Sequence, residues 1–586
     1  MCARMRSEQS LLPPLHRNLS IQPLIRSDTY PGEPIMSKRN VIEPVHTPSH
    51  TARRSLLKGS AGALAAGLTA STWQPVAAQK RGGTLKVSNG GDPPDFDVHQ
   101  TATFLTQFIG APCYSTLMKV DPDNPQRLLP DLAEKAEVSA DGRTVTLQIR
   151  KGVVFHNGAA LTAEDVVYSL NRIKSPPKGI VSPRKGLLGN VEEIRADGAL
   201  GVTIRLAQPQ PDFLMLVSNP FNVIVSRAVA EPLDAQGQGV KRQVVGTGPF
   251  RLTQAVDGQY YELTRFDRYF GPAPMLDRIQ FFPIRGEVER GAALQSRRID
   301  ACFFFANEAV LDPLRKVQGI TALRRPTPTF INLIPNVTKK PFDDPRVREA
   351  LSLAIDRDAF IRTVGPLAGA FFHGRGLMPP DSPYSLTPQE IKAFGGYDSL
   401  PGLGGDVAEN RKRAIALLEQ AGVPKGSKMV ILARGDVPAF RDSAINVAGQ
   451  LKQIGLEVTV DIRDAGAFYK METGGDFQLV THSVAMGGSA VDQILGEGYT
   501  SYGGRNYGMW KDDAIDKLYS EQSRELDPAK RGELIRKFQL EFLKTYYQIN
   551  LAWVGYGAAH LNTVQGWKAL NDLYANMQMD RVWLNA

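Results

Sequence analysis

His99, His156, His373, His482 and His560 are the histidines beyond residue 78, and no two stand at the i, i+3 or i, i+4 spacing that turns two imidazoles toward one metal. No H-E-x-x-H stretch and no cysteine-rich zinc pattern occurs, and there is no Walker A loop to cradle a nucleotide phosphate. Ser175-Pro176-Pro177-Lys178 and Ser182-Pro183-Arg184-Lys185 both read S-x-x-K, a serine-nucleophile spacing, but the prolines prevent the single helical turn that would place lysine beside serine. Gly246-Thr247-Gly248 is followed by Pro249-Phe250, without the third glycine of a dinucleotide loop, and is expected to be a turn bordering a strand. Asp95/Asp97, Asp343/Asp344 and Asp512/Asp513 are close carboxylates, but such pairs also suit helix starts and solvated faces. A glycosidase would need them about 5–9.5 Å apart across a cleft. The residues therefore supply no catalytic set, and no metal or cofactor is expected.

The elements that would position any site are legible in part. Thr84–Ser88 reads as a first strand, and Asp141-Gly142 as a hairpin turn before Val145, Leu147 and Ile149, which alternate with polar residues. Val202, Ile204 and Leu206 repeat that alternation. Thr162 and Asp165 have the spacing of a capping box, and Asp344-Pro345 that of an N-cap followed by proline at the first helical position. Val347, Ala350, Leu351, Ala354 and Ile355 then form one apolar stripe. A further helix carries Ala414, Leu417, Leu418 and Ala421 and stops at Gly422. Another ends near Ile454-Gly455 and leads into a strand with Val458, Val460 and Ile462. The expected class is α/β with mixed connectivity, and 586 residues favour two or more lobes.

The first 78 residues differ in kind. Residues 1–50 lack a sustained apolar period and are expected to be disordered or a mis-called extension, with Met1 and Met36 both open as the start. Arg53-Arg54, a mild Gly/Ala-rich apolar run and Val76-Ala77-Ala78 make 51–78 resemble a twin-arginine signal peptide, too short and too dilute to span a membrane. No cysteine stands near the cleavage site, which points to a freely diffusing periplasmic protein without a lipid anchor. Residues 1–78 carry nine Lys/Arg and four Asp/Glu, so they hold +5 of the chain's +9 and leave +4 for the rest. That small surplus gives nucleic-acid binding no support. Cys113 and Cys302 remain after cleavage, as a disulfide or as two buried thiols.

Several segments, in order, resemble the family 5 extracytoplasmic solute-binding proteins of peptide and nickel ABC importers. They include Gly82-Gly83-Thr84-Leu85, Leu129-Pro130-Asp131-Leu132-Ala133, Phe155-His156-Asn157-Gly158 and Val245-Gly246-Thr247-Gly248-Pro249-Phe250. Pro341 to Arg348, Ala354-Ile355-Asp356-Arg357 and Gly475-Asp476-Phe477 continue the series. The resemblance implies the two-lobe periplasmic-binding-protein fold of the large peptide-binding class. Lobe I would be 79–327 with an inserted subdomain at about 115–226, lobe II 328–548, and 549–586 a return to lobe I. Crossover strands near Thr329–Asn332 and Gln548–Asn550 would form the hinge.

The implied activity is capture of a small solute in an interlobe cleft and its delivery to an ABC permease and ATPase acting in trans, by a monomer that is not an enzyme. The alternative is a periplasmic hydrolase, or a sensor or chaperone, reusing the scaffold. Peptide-binding relatives anchor the peptide amine on an aspartate after the G-D-F motif, and Gly487 stands at that position here. A free-amine peptide and a blocked, cyclic, opine-like or sugar-like solute thus both stay open. The residues expected to line the cleft are Asn89 and Asp92 from lobe I, and Phe330, Asn332, Tyr469, His482, Ser483, Met486, Gly487, Asp492, Asn506, Tyr507 and Trp553.

Overall fold

Alternation along Thr144–Ile149 puts Val145, Leu147 and Ile149 at 0% exposure while Thr146 and Gln148 face solvent. The strand is reached from Ala133–Val138 through a turn in which Gly142 adopts φ +67°. With Gly201–Leu206 and Val191–Asp197 these strands make a four-stranded antiparallel sheet. The helix Ala163–Lys174 covers it, opened by a capping box in which the Thr162 N–H donates to the Asp165 carboxylate at 2.9 Å. This layer has a core of its own, running from Leu117 to Ile224. The computed structural model describes residues 81–585, apart from 102, 369, 381, 436–437, 486–489 and 570–576. The twin-arginine stretch lies outside the described residues.

The second half is built from the helices the sequence announces. Asp344 caps Pro345–Ala354 by accepting from the Arg346 N–H at 2.9 Å, and the whole stripe from Val347 to Ile355 is buried. Val407–Gln420 ends before Gly422 at φ +72°, and Pro438–Lys452 leads into Glu457–Arg463. One expectation differs there: Ile462 is 47% exposed although it shares a strand face with buried Val458, because burial along that face falls off toward the end of the strand, through partly buried Val460.

An eleven-stranded sheet joins the two halves. From one edge its order is Glu457–Arg463, Lys428–Arg434, Leu479–Ala485, Ile320–Pro335, Ile549–Leu561, Ala301–Phe305, Thr84–Ser88, Arg278–Phe282, Tyr260–Arg265 and Phe250–Val256. Ala370–Phe372 pairs beside Ile549–Leu561. The two central strands are long and antiparallel, in register from Ile320↔Leu561 to Leu333↔Ile549, with irregularities between Pro326 and Thr329 and between Ile331 and Asn332. Their ends serve different cores. Ile331, Leu333, Ile549 and Val554 join the helices of the second half, whereas Ala558 joins a core with Leu85, Val87 and Phe281.

Gly246 and Gly248 precede the Phe250–Val256 strand, where the chain bends at Gly248-Pro249 in place of the expected turn. They are packing residues: a Cβ on Gly246 would stand 2.1 Å from the Cys113 carbonyl oxygen, and one on Gly248 2.5 Å from the Cys113 carbonyl carbon. Cys113 and Cys302 are free, buried thiols in separate cores. Among the described residues no helix is long and apolar enough to cross a membrane, and no group of three or more His, Cys, Asp or Glu could hold a metal ion.

Candidate binding cleft

The helix Val491–Tyr499 presents Asp492, Gln493, Gly496 and Glu497 on one face, at i, i+1, i+4 and i+5. That face forms one wall of a chamber of about 520 Å³. The loop at 502–505 with Tyr507 and the side chain of Tyr519 continue the wall. Pro183, Gly186, Leu187, Gln210 and Leu216, all from the 115–226 region, close the opposite side. Leu187, Leu216 and Ala490 pack together beside it, a small apolar contact between the same two regions.

A buried ion cluster ties these walls. Arg531 donates through Nη1 to Asp212 Oδ1 at 2.6 Å and through Nη2 to Asp492 Oδ1 at 3.0 Å. The Asp492 N–H donates to Asp212 Oδ2 at 3.0 Å, and Gln522 Nε2 to Asp492 Oδ1 at 3.0 Å. Burial, with the Asp212 carboxylate beside it, pushes the Asp492 pKa up to about 7. Further along the helix burial also raises the Glu497 carboxyl, against which Arg505 stands at 3.6 Å.

Of the residues expected from sequence, Asp492 and Tyr507 line this chamber. Tyr507 stacks on His482 with ring centroids 4.7 Å apart, and Tyr469 lies 6.4 Å from the same imidazole. His482 is buried and hydrogen-bonded through Nδ1 to Glu472, itself fully buried. Tyr469 is 40% exposed and accepts from Arg434 Nη1 at 2.9 Å. Asn506 shapes its loop, donating to the carbonyls of Ser501 and Trp510 at 2.9 and 2.8 Å.

The other expected residues sit elsewhere. Phe330 and Trp553 meet edge to face at 5.1 Å, both at 0% exposure, inside a core. Asn332 donates to the Gln548 side chain, which in turn donates to the Gly498 carbonyl at 2.7 Å, so it links the central strands to the chamber helix without lining the chamber. Ser483 is paired with Ile331 within its strand. Met486 and Gly487 lie outside the described residues.

Asn89 is buried, and its side-chain amide has no hydrogen-bond partner among the described residues. Asp92 accepts from the Gly258 N–H at 2.7 Å and from the Tyr261 hydroxyl at 2.9 Å, with Arg285 at 3.4 Å. Neither lines the chamber. Glu497, Arg505, Gln210 and Arg531 were not legible beforehand, because nothing local marks residues that meet only after folding.

The two-lobed α/β fold is shared with solved periplasmic binding proteins. Residues 127–506 match the model for bacterial extracellular solute-binding proteins, family 5 Middle, and the chain belongs to that family. It is 28% identical over 513 residues to the dipeptide-binding protein of Escherichia coli strain K12, covering 83% of this chain and 92% of the relative. It is 29% identical over 382 residues to the glutathione-binding protein GsiB of Escherichia coli strain K12, covering 65% and 69%.

Among solved structures, the ABC transporter-associated periplasmic binding protein DppA from Helicobacter pylori, in complex with the peptide STSA, has a TM-score of 0.72 at 23% identity. The match covers 86% of this chain and 99% of that one. The PBP AgaA from A. tumefacien R10, in complex with agropinic acid, has a TM-score of 0.71 at 23% identity with the same coverage. At those identities the two likenesses speak for the fold.

Proposed function

We propose that this chain is the periplasmic receptor of an ABC importer, which captures a peptide or peptide-like solute between its lobes and presents the closed form to a membrane permease. The observation that carries this reading is the chamber of about 520 Å³ walled on one side by the 183–216 region and on the other by the 492–519 region. A cleft closed from both sides buries a solute on two faces and couples its capture to lobe movement. To take an open population from 1:99 to 99:1 closed, a ligand needs about 10⁴-fold preference for the closed form, so contacts from both lobes are required.

In this reading lobe I comprises 79–327 with its inserted subdomain at about 115–226, and lobe II comprises 328–548. Residues 549–586 return to lobe I, a reading supported by the change of core between Val554 and Ala558. Asp492 and Tyr507 touch the solute, the His482–Glu472 pair supports Tyr507, and Ser483, Met486 and Gly487 stay proposed as cleft residues. Export runs through the twin-arginine pathway, the mature protein carries no lipid anchor, and the chain performs no chemistry on its cargo.

The dipeptide- and glutathione-binding relatives favour a peptide-like solute, and the fold neighbour that holds agropinic acid keeps an opine-like one in view. Mass spectrometry of small molecules released from protein isolated from its native periplasm tests the reading. A stoichiometric peptide-like solute that raises the melting temperature on re-addition is the expected result. Turnover of that solute by the purified protein would overturn it.

A further inference from the structure

One short segment of the inserted region, 209–216, reaches the second half of the chain at successive positions. Pro209 and the hairpin turn at Gly142 form an apolar notch around Leu526: a Cβ built on Gly142 would stand 2.9 Å from Leu526 Cδ2 and 3.0 Å from the Pro209 Cβ. The Gln210 side chain is hydrogen-bonded to the Asp492 carboxyl. Asp212 accepts from the Asp492 N–H at 3.0 Å and from Arg531 Nη1 at 2.6 Å. Leu216, together with Leu187, packs on Ala490. The receiving groups are just as compact. Ala490 and Asp492 stand at the start of Val491–Tyr499, and Leu526 and Arg531 flank the first turn of Pro528–Thr545. Gln210, Leu216 and Asp492 border the chamber, whereas Gly142, Pro209 and Leu526 do not.

Groups that meet only while the two walls face each other lower the free energy of the closed form, whatever fills the chamber. Leu526 is 44% exposed even in its notch, so parting the walls would leave a leucine on a loop almost wholly in water. We propose, building on the receptor reading above, that residues 209–216 are a closure strap and that Leu526, seated between Gly142 and Pro209, is its solute-independent catch. The catch holds part of the solute-free population closed. It also slows the escape of every solute by the same factor, because no solute leaves without opening the strap. Choice of solute then belongs to the chamber, and residence time is set in part outside it.

The test uses the mature protein, freed of bound solute in mild guanidinium. Leu526→Ala and Leu526→Asp are compared with the parent, and Pro209→Ser repeats the measurement from the other side of the notch. X-ray scattering in solution is read first, without solute. All three changes are expected to raise the radius of gyration, Leu526→Asp the most, while the melting temperature stays within about 2 °C of the parent's because the leucine is already close to half exposed. Dissociation rates are then read by stopped-flow fluorescence for alanine dipeptide, alanine tripeptide and glutathione. Leu526→Ala is expected to raise each rate about three- to tenfold, and by one common factor. An unchanged radius of gyration overturns the catch. Factors that differ among the solutes overturn it as well, since Leu526 would then be reading the solute. Either result leaves the receptor reading standing. If the parent binds none of the three, the scattering alone decides the strap, and the receptor reading is judged by the solute released from native protein.

Discussion

Arg531 and Asp212 are 319 residues apart in the chain, yet the guanidinium donates to the carboxylate at 2.6 Å across the chamber. One belongs to the helix Pro528–Thr545 and the other stands at the start of Phe213–Val217 in the inserted region. The bond therefore exists only while the two walls face each other. Removing one partner of a buried ion pair costs about 3–5 kcal/mol, because the other charge is left stranded. Here Asp492 remains to receive Arg531, so the loss is smaller. Asp212→Asn is expected to raise the solute dissociation rate about 10- to 100-fold while thermal unfolding of the solute-free protein changes little. Stopped-flow tryptophan fluorescence measures the rate, and an unchanged rate would show that the pair does not hold the walls together.

Acid should weaken the fold before the usual carboxylate range is reached. Burial, with Arg172 beside it, holds His99 down to about 3, and burial holds His156 down to about 4. Both values lie below the 6.5 of a free imidazole, so the unfolded chain takes up these protons first. Stability is then fully present above about pH 6.5 and falls as the pH drops toward 4, by up to about 1.4 kcal/mol per pH unit for His99. His99→Gln should flatten that slope by about one proton when melting temperature is followed from pH 7 to pH 4.

The two thiols should be silent. Burial pushes the Cys302 thiol up to about 11 and that of Cys113 higher still. A thiol reagent is expected to label neither in the native mature protein and both after denaturation, and a reductant should leave the melting temperature where it was.

Gly246 is predicted to tolerate no side chain. The atom that an added Cβ would strike belongs to the backbone of Cys113, which is itself buried and cannot swing aside. Gly246→Ala should cost about 3 kcal/mol or more and lower the melting temperature by several degrees, whereas Gly152→Ala meets no neighbour within 4 Å and is strained only by its φ of +79°. A loss at Gly246 no larger than that at Gly152 would show that the contact with Cys113 is relieved at little cost.

Export is tested at Arg53 and Arg54. Changing both to lysine should leave the precursor in the cytoplasm, and export that continues unchanged would assign the leader to another route.

Elements written locally were legible in advance. Asp344 is followed at once by its proline, Thr162 meets Asp165 three residues later, and Val145, Leu147 and Ile149 alternate within six residues, so each signal and its consequence share one stretch of chain. The site is different in kind. Arg531 has no local feature that distinguishes it from a surface arginine, and its partners arrive from 39 and 319 residues away. Aromatic character misled for a related reason: Phe330 and Trp553 carry the residue types of a cleft wall, but the central strands turn them toward each other inside a core. Only Tyr507 among the expected aromatics reaches the chamber.

The strand Ile549–Leu561 lies near the middle of the largest sheet, yet it is among the last segments to be synthesised. At about 5–20 residues per second, the ribosome leaves Ile320–Pro335 waiting on the order of ten seconds to a minute for its longest partner. A chain stopped before residue 549 would lose a seam shared by both cores at once, not a dispensable tail. Nonsense changes anywhere in the last tenth of the coding sequence that remove this strand should therefore behave like deletions of the whole gene.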